Sequence, residues 1–340
     1  MKSKALRSAL LGIIITIIVI ITLSTTPKAH AEKSFNYVFE VDDEGLTKVT
    51  VYFCDDESGR SWLYVPKDQK EALNITVYEG RLLNITFRSL IHDGEEDPFY
   101  TVMELSYEAS GVFNLSVKYY MKYGALIIEP KAIFVSPRIV HDGSTTRVIA
   151  RLPGYVDVGE GCVSSISGYV SDVRIVKRES FITVSAVIGS NDRLVIEYTV
   201  PRKAEVRNVS LGFLIFKVPP RYLDFAYEVL KALNRTYAIY RELFECEPEG
   251  IYIEFFVPSR EDIASGIEGY VPVVGRELGS IHLNLLYIRG VEGFMDVVAM
   301  HELAHHFLWR IGVPVSKLWI HEGVAEYLSL VLGEEMGYHS

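Results

Sequence analysis

The 340-residue chain is poor in sulfur and carboxamides, with three cysteines, six methionines and a single glutamine, Gln69. Cys54, Cys162 and Cys246 are too few and too scattered for a thiolate metal cluster, and they allow at most one disulfide within the chain. Basic residues are also in deficit: 34 Lys and Arg face 44 Asp and Glu, a formal charge of −10. Residues 1–31 hold four bases and no acid, so without them the charge is −14. An acidic surface repels nucleic acid and anionic lipid, and no basic patch interleaved with aromatics offsets it, so the chain reads as having no nucleic-acid partner. Internal repeats and low-complexity tracts are lacking. The acidic clusters Asp55-Asp56-Glu57 and Asp93 to Asp97 lack EF-hand spacing and read as solvated loops.

Only one run approaches membrane-spanning length. Lys2, Lys4 and Arg7 precede an apolar stretch from Leu10 to Leu23, followed by Ala29-His30-Ala31. That order of charged region, apolar region and A-x-A site predicts a secretory signal over 1–31, cleaved before Glu32. The uncharged stretch from Ser8 to Pro27 is also long enough for an uncleaved N-terminal membrane anchor, the only membrane contact the sequence offers. Five of the eight asparagines (Asn74, Asn84, Asn114, Asn208 and Asn234) lie in N-x-S/T sequons, where chance gives about one. The excess predicts a glycosylated protein, secreted or held at the cell surface.

Residues 32–204 read as β-rich. Phe35 to Val41, Thr47 to Phe53, Leu82 to Phe87, Phe99 to Tyr107, Val112 to Tyr120, Ile133 to Val140, Phe181 to Ile188 and Leu194 to Val200 are rich in β-branched and aromatic residues. Turn-formers such as 42–45, 141–144 and 189–192 bound them, which predicts an antiparallel sandwich, or two smaller ones. Strand alternation gives way to helical periodicity soon after Pro201 to Glu205, the expected boundary.

Chemistry concentrates near the C-terminal end. In His301-Glu302-Leu303-Ala304-His305 the histidines are four apart, so a helix offers both imidazoles to one metal ion. Glu302 lies one step round and can reach a water at that metal without ligating it. The stripe Phe294, Val297, Val298, Leu303 and Phe307 predicts the helix, and Gly312 then Pro314 end it. Seventeen residues after His305 comes Glu322, in Trp319-Ile-His-Glu-Gly-Val-Ala-Glu-Tyr327. Glu322 completes a His₂Glu zinc site with a fourth position left for water. Glu326, four residues on, stands where a carboxylate can accept the free N–H of a liganding histidine.

At these residues the chain resembles the gluzincin zinc metallopeptidases, the clan of thermolysin and the zinc aminopeptidases. Within that clan it is most similar to the compact peptidase MA-like domains, whose motifs are H-E-L-A-H and W-[LI]-N-E-G-x-A-x-Y. The resemblance covers about residues 205–335. It implies one zinc per chain held by His301, His305 and Glu322, with Glu302 as general base and a peptide or protein as substrate. His321 stands where the family usually has asparagine and reads as a neutral exchange; His306 reads as a helix-surface residue. The expected fold class is α+β: an N-terminal antiparallel β-sandwich-like region over 32–204, then a compact zincin-type α+β metallopeptidase domain over 205–340.

Within the second region, Pro219 to Glu245 carries Phe225, Val229, Ala232, Leu233, Tyr237, Tyr240 and Phe244 at helical spacing. Ile251 to Val257 reads as a buried strand, Ser259 as a helix start, 265–279 as a loop and Ser280 to Ile288 as a second strand. The resemblance makes that second strand the sheet edge on which an extended peptide pairs, with His282 and Asn284 as candidate substrate contacts. Zinc aminopeptidases of the clan carry G-x-M-E-N there, and Gly279 to Leu286 has no such glutamate, which favours endopeptidase over aminopeptidase action. Gluzincins also place a helical subdomain after the glutamate-bearing helix. Here that helix should finish near Leu332-Gly333, leaving Val324, Leu328 and Val331 for a partner, a second copy or the β-rich half to cover. Tyr338, His339, Tyr270, His282 and Tyr287 remain as alternative oxyanion donors. A non-catalytic zinc-containing binding module and a structural cell-envelope protein are the other functional readings.

Overall fold

The computed structural model describes residues 33–338 except Asp93, Ser144, Glu160, Gly161 and Tyr169. The leader expected over 1–31 and the donor considered at His339 lie outside the described residues. Among the described residues no helix is long and apolar enough to cross a membrane.

Alternation builds the β-rich half. In Ser34–Val41 every second residue (Phe35, Tyr37, Phe39, Val41) is buried, because successive side chains of a strand point to opposite faces. That strand lies inside a seven-stranded sheet in the order Ser171–Lys177, Phe181–Gly189, Thr145–Pro153, Ser34–Val41, Thr47–Asp55, Phe113–Met121, Asn74–Glu79. Gly59–Pro66, Glu95–Glu108 and Arg81–His92 form a three-stranded sheet, and Phe53, Tyr107, Phe113 and Leu115 meet in the core between sheets. The expected antiparallel sandwich is corrected on one point. Ser34–Val41 pairs in parallel with Thr145–Pro153, with Phe35 opposite Thr146. Alternation decides which face is buried and leaves the direction of the neighbouring strand open.

A four-stranded sheet joins the halves: Val163–Ser165, Leu194–Thr199, Lys131–Val135, Ala125–Ile128. It is buried on both faces. Ala125, Ile127, Phe134 and Ile196 enter the core of the β-rich half, while Leu126, Ile133, Val135 and Val195 enter the core of the second half. Polar contacts pin the same seam. The Tyr222 hydroxyl accepts from the Ile127 N–H at 2.9 Å and donates to the Ile127 carbonyl at 3.2 Å. The buried Glu129 carboxylate takes Arg221 Nη2 at 2.7 Å and Arg202 Nε at 3.1 Å.

The second half is a five-stranded sheet carrying helices. Its order is Arg207–Leu211, Leu214–Val218, Ile251–Phe256, Ile281–Asn284, Gly269–Tyr270. The helices are α1 (Leu223–Phe244), α2 (Arg260–Ser265), α3 (Phe294–Arg310) and α4 (Leu318–Glu335). The start of α2 is a reciprocal cap: Ser259 Oγ accepts from the Asp262 N–H while Asp262 accepts from the Ser259 N–H. Phe307 fixes α3 on α1, its ring centroid lying 5.1, 5.5 and 5.8 Å from those of Tyr237, Tyr240 and Phe244. Gly333 lets α4 close on α3, since a Cβ there would come within 2.7 Å of Val297 Cγ2.

Two expectations for this half are corrected. The strand over Ser280 to Ile288 is only Ile281–Asn284, after which Leu285–Arg289 turns into a 3₁₀ helix. Asn284 stops the strand because its side chain accepts from the Leu286 N–H, an N-cap that competes with extended backbone. The supposed loop 265–279 contains Gly269–Tyr270 and a small hairpin, Val273–Val274 with Glu277–Leu278. Gly269–Tyr270 pairs antiparallel with Ile281–Asn284 and takes the outer edge, so the free edge beside the helices is not the 280–288 segment.

Candidate metal centre

α3 presents His301 and His305 to one side, with ring centroids 5.0 Å apart and planes at 79°. α4 brings Glu322 against both. Its Oε2 lies 3.2 Å from His301 Nε2, and its Oε1 lies 3.8 Å from His305 Nε2. One ligand atom from each of these residues falls within 4.8 Å of the others. Nitrogen and oxygen ligands about 2.0–2.1 Å from a tetrahedral zinc stand about 3.3 Å apart, so the donor set fits the ion with small side-chain adjustments. Glu326, one turn further along α4, lies 3.2 Å from His301 Nδ1 and accepts its proton. That hydrogen bond leaves the Nε2 lone pair of His301 free to face the ligand set.

The electrostatics point the same way. Glu302 is 6% exposed, and burial, then the Glu322 and Glu268 carboxylates, push its pKa up to about 8. Burial, then His301 and His321, hold the His305 imidazole down at about 4. Carboxylates that repel one another beside an imidazole kept neutral are the complement of a bound cation. Glu302 Oε2 stands 3.9 Å from His305 Nε2, beside the ligand set and not in it.

The cleft around these groups encloses about 310 Å³ and combines Glu302, His305 and Glu322 with apolar Val271, Leu278, Val315 and Leu318. The edge strand comes close because it carries a glycine. A Cβ at Gly269 would sit 3.0 Å from both Glu302 Oε1 and Val298 Cγ1. Glu268, next to it, was not singled out from sequence. Burial and Glu326 raise its carboxyl pKa while His301 opposes, so it belongs to the same charge cluster. The Gly-Ile-Glu-Gly run at 266–269, with glycines bracketing an acid ahead of a strand, was the available signal.

The remaining sequence candidates divide. Tyr270 lines the cleft, and its ring stacks on His282 at 4.6 Å. His282 itself is not among the cleft-lining residues and places Nδ1 3.4 Å from Glu254. Asn284 is corrected as a substrate contact. It is 1% exposed, donates to the Ile267 carbonyl and accepts from the Leu286 N–H, so its amide is used up within the fold. His321 is buried and shares a hydrogen bond with the Val313 carbonyl at 3.1 Å, tying the α3–α4 connection beneath His305. His306, expected on the helix surface, is half-buried. Its Nε2 is enclosed without a hydrogen-bond partner among the described residues. Tyr338 bonds to Asp296 at the start of α3, and Tyr287 packs on Phe294 at 4.9 Å. On α4, Val324, Leu328 and Val331 are half-buried; the exposed large apolar residues are Leu318, Trp319, Tyr327 and Leu330.

No family model and no curated sequence matches the chain. Among solved structures, native leukotriene A4 hydrolase from Saccharomyces cerevisiae aligns over 89% of this chain and 49% of its own, at 10% identity and a TM-score of 0.27. An M1 zinc metallopeptidase from Deinococcus radiodurans aligns over 90% of this chain and 71% of its own, at 13% identity and a TM-score of 0.27. This chain therefore spans about half the length of the yeast hydrolase. At such identity and superposition, a functional reading has to stand on this chain's own residues.

Proposed function

We propose that this protein is a zinc-dependent peptidase. The observation that carries the reading is the convergence of His301, His305 and Glu322 within 4.8 Å, with the buried carboxyl of Glu302 beside them. His301, His305 and Glu322 would hold one zinc per chain. When bound, zinc lowers the pKa of a water in its open position and polarises the scissile carbonyl. Glu302 takes the proton from the attacking water and passes it to the departing amine. Glu302 is 6% exposed and lines the cleft beside His305 and Glu322, within reach of a water at the ligand set. Glu326 orients His301, and Gly269 lets the edge strand approach Glu302 closely enough to form one wall of the cleft.

The preference for endopeptidase action rested on the missing glutamate in 279–286. With Gly269–Tyr270 at the edge, and Glu268 in the charge cluster just before it, that premise falls. The proposal is therefore peptide-bond hydrolysis, with no restriction to internal bonds. Comparing N-acetylated with free-amine peptides in wild type and Glu268→Gln separates the two modes. A free-amine preference that drops about tenfold in the variant assigns Glu268 to the substrate ammonium.

We further propose export. All five sequon asparagines lie at exposed or half-exposed positions, as glycan attachment requires. Intact mass and N-terminal sequencing of native protein should give a glycosylated chain starting near Glu32 or retaining its apolar leader in a membrane fraction. The enzyme reading is tested by metal analysis with a proteolysis assay. Wild type should carry about one zinc and hydrolyse an unfolded protein substrate, and His301→Ala, His305→Ala and Glu322→Ala should each lose both. Zinc without turnover in wild type would leave only a binding module.

A further inference from the structure

A cavity of about 770 Å³ lies where the two halves meet and shares no lining residue with the metal cleft. Phe99, Tyr120 and Tyr123 from the β-rich half, Phe225 from α1 and Arg289 from the 3₁₀ turn before α3 wall it. Phe99 and Tyr120 are 42% and 55% exposed, large rings left unburied beside open space. Tyr123 is held at φ 57°, a left-handed conformation that costs free energy for a residue with a Cβ and persists where the surroundings impose it.

Arg289 is the unusual group. Nη1 donates to the Val135 carbonyl at 2.9 Å and Nη2 faces Met121 Sδ at 3.6 Å, both neutral acceptors. Among the described residues no carboxylate forms an ion pair with its guanidinium. Burial, then a second cation, Arg193, lower its pKa to about 10, so it remains charged at neutral pH. Desolvated cations are ordinarily paired, because an unpaired one forfeits its hydration with nothing in return. Two of its five N–H groups are engaged, leaving others for a planar acceptor. Lys122 also lines the cavity, its Nζ 4.9 Å from the Tyr123 ring centroid. The acids that line it, Asp68, Asp224, Glu228 and Glu292, are all exposed.

We propose that this cavity binds an apolar α-amino acid, with its carboxylate on Arg289, its side chain among the aromatic walls and its ammonium toward the exposed acids. A guanidinium fork matches a carboxylate bidentately, which a neutral amide cannot reproduce. The surrounding acids disfavour a phosphate or a simple dianion and favour a ligand with one cationic end. The site is independent of the metal reading, since neither its residues nor its ligand involve the cleft.

Calorimetric titration of the full chain with L-phenylalanine and with L-phenylalaninamide tests the proposal. The amide keeps the ring and the ammonium and lacks the carboxylate. Saturable binding of L-phenylalanine at millimolar concentrations is expected, with the amide about tenfold weaker or more. Arg289→Gln should abolish the difference, and Glu302→Gln should leave it intact, which separates this cavity from the metal cleft. Tyr120→Ala, at an exposed position away from the guanidinium contacts, should weaken binding without unfolding the chain and decides the matter if Arg289→Gln does not fold. No saturable binding, equal binding of acid and amide, or binding undiminished by Tyr120→Ala and Arg289→Gln would overturn the proposal.

Discussion

The two halves treat their carboxylates in opposite ways. Among the described residues of the β-rich half, three carboxylates are held below their ordinary range: a Lys48 hydrogen bond lowers Glu40, Lys67 lowers Glu96 and Lys177 lowers Asp157. In the second half three are pushed above it. Burial raises Glu268, Asp296 to about 6 and Glu302 to about 8, with other carboxylates adding to the push. A surface acid paired with a lysine keeps its charge and asks nothing of the fold. An acid held against its own charge needs a surrounding structure that forces it there, and such groups collect where protons or cations are handled. The contrast separates a half whose shifted acids are paired at the surface from a half built around a charge cluster.

The comparison can be broken most severely at Glu129, a buried carboxylate of the β-rich half that serves two arginines. If its role is to pin the seam, Glu129→Ala should lower unfolding free energy by about 3 kcal/mol, because Arg221 is left largely buried with a weaker partner. A shift in the urea midpoint at unchanged slope would report it. A loss below ~1 kcal/mol would show that the seam does not depend on this pair.

His141 is a buried titratable group of the β-rich half, away from the charge cluster. It is 3% exposed, stacks on Phe35 at 4.1 Å, accepts from the Gly143 N–H at Nδ1 and donates from Nε2 to the Thr146 hydroxyl. Burial holds its pKa at about 4 against Asp142. Because the folded pKa is depressed, the unfolded chain takes the proton first. The stability contributed by neutral His141 is complete above about pH 6.5 and is lost as pH falls toward 4, by at most about 3 kcal/mol. His141→Asn should flatten the dependence of the urea midpoint across that window. A variant as acid-sensitive as wild type would mean that the imidazole stays solvated. The smallest effect belongs to Glu40, whose partners Lys48 and Arg151 are 42% and 47% exposed. Glu40→Gln should cost less than about 1 kcal/mol, reduced further by salt. A larger loss would mean that the paired acids of this half also support its core.

The candidate metal site was the most legible part of the sequence because helical spacing converts directly into geometry. Residues four apart share a face, so His301 with His305, and Glu322 with Glu326, could be read without knowing how the helices cross. The approach of α4 to α3 depended on a separate feature, Gly333 against Val297, that no spacing rule announces. Strands with clean alternation, such as 35–41 and 181–188, were also readable. Others were missed: Gly59–Pro66 mixes glycine, arginine and proline with its apolar residues, and Thr145–Pro153 is interrupted by Arg147 and Arg151. The apolar run at 281–288 looked like one strand because periodicity does not see a side-chain cap, and Asn284 ends it. Glu268 was missed for the related reason that Gly269–Tyr270 is two residues long. Its importance comes from an antiparallel partner distant in sequence and from Glu302 lying under it.

The proposed division of roles gives Glu302 the proton and His301, His305 and Glu322 the metal. Zinc content and peptidase rate measured together on Glu302→Gln test that division. The expected result is about one zinc per chain, as in wild type, with hydrolysis reduced by ~10²–10⁴ or more, the share general acid–base catalysis ordinarily supplies. Loss of zinc to the extent seen in Glu322→Ala, or turnover close to wild type, would contradict it.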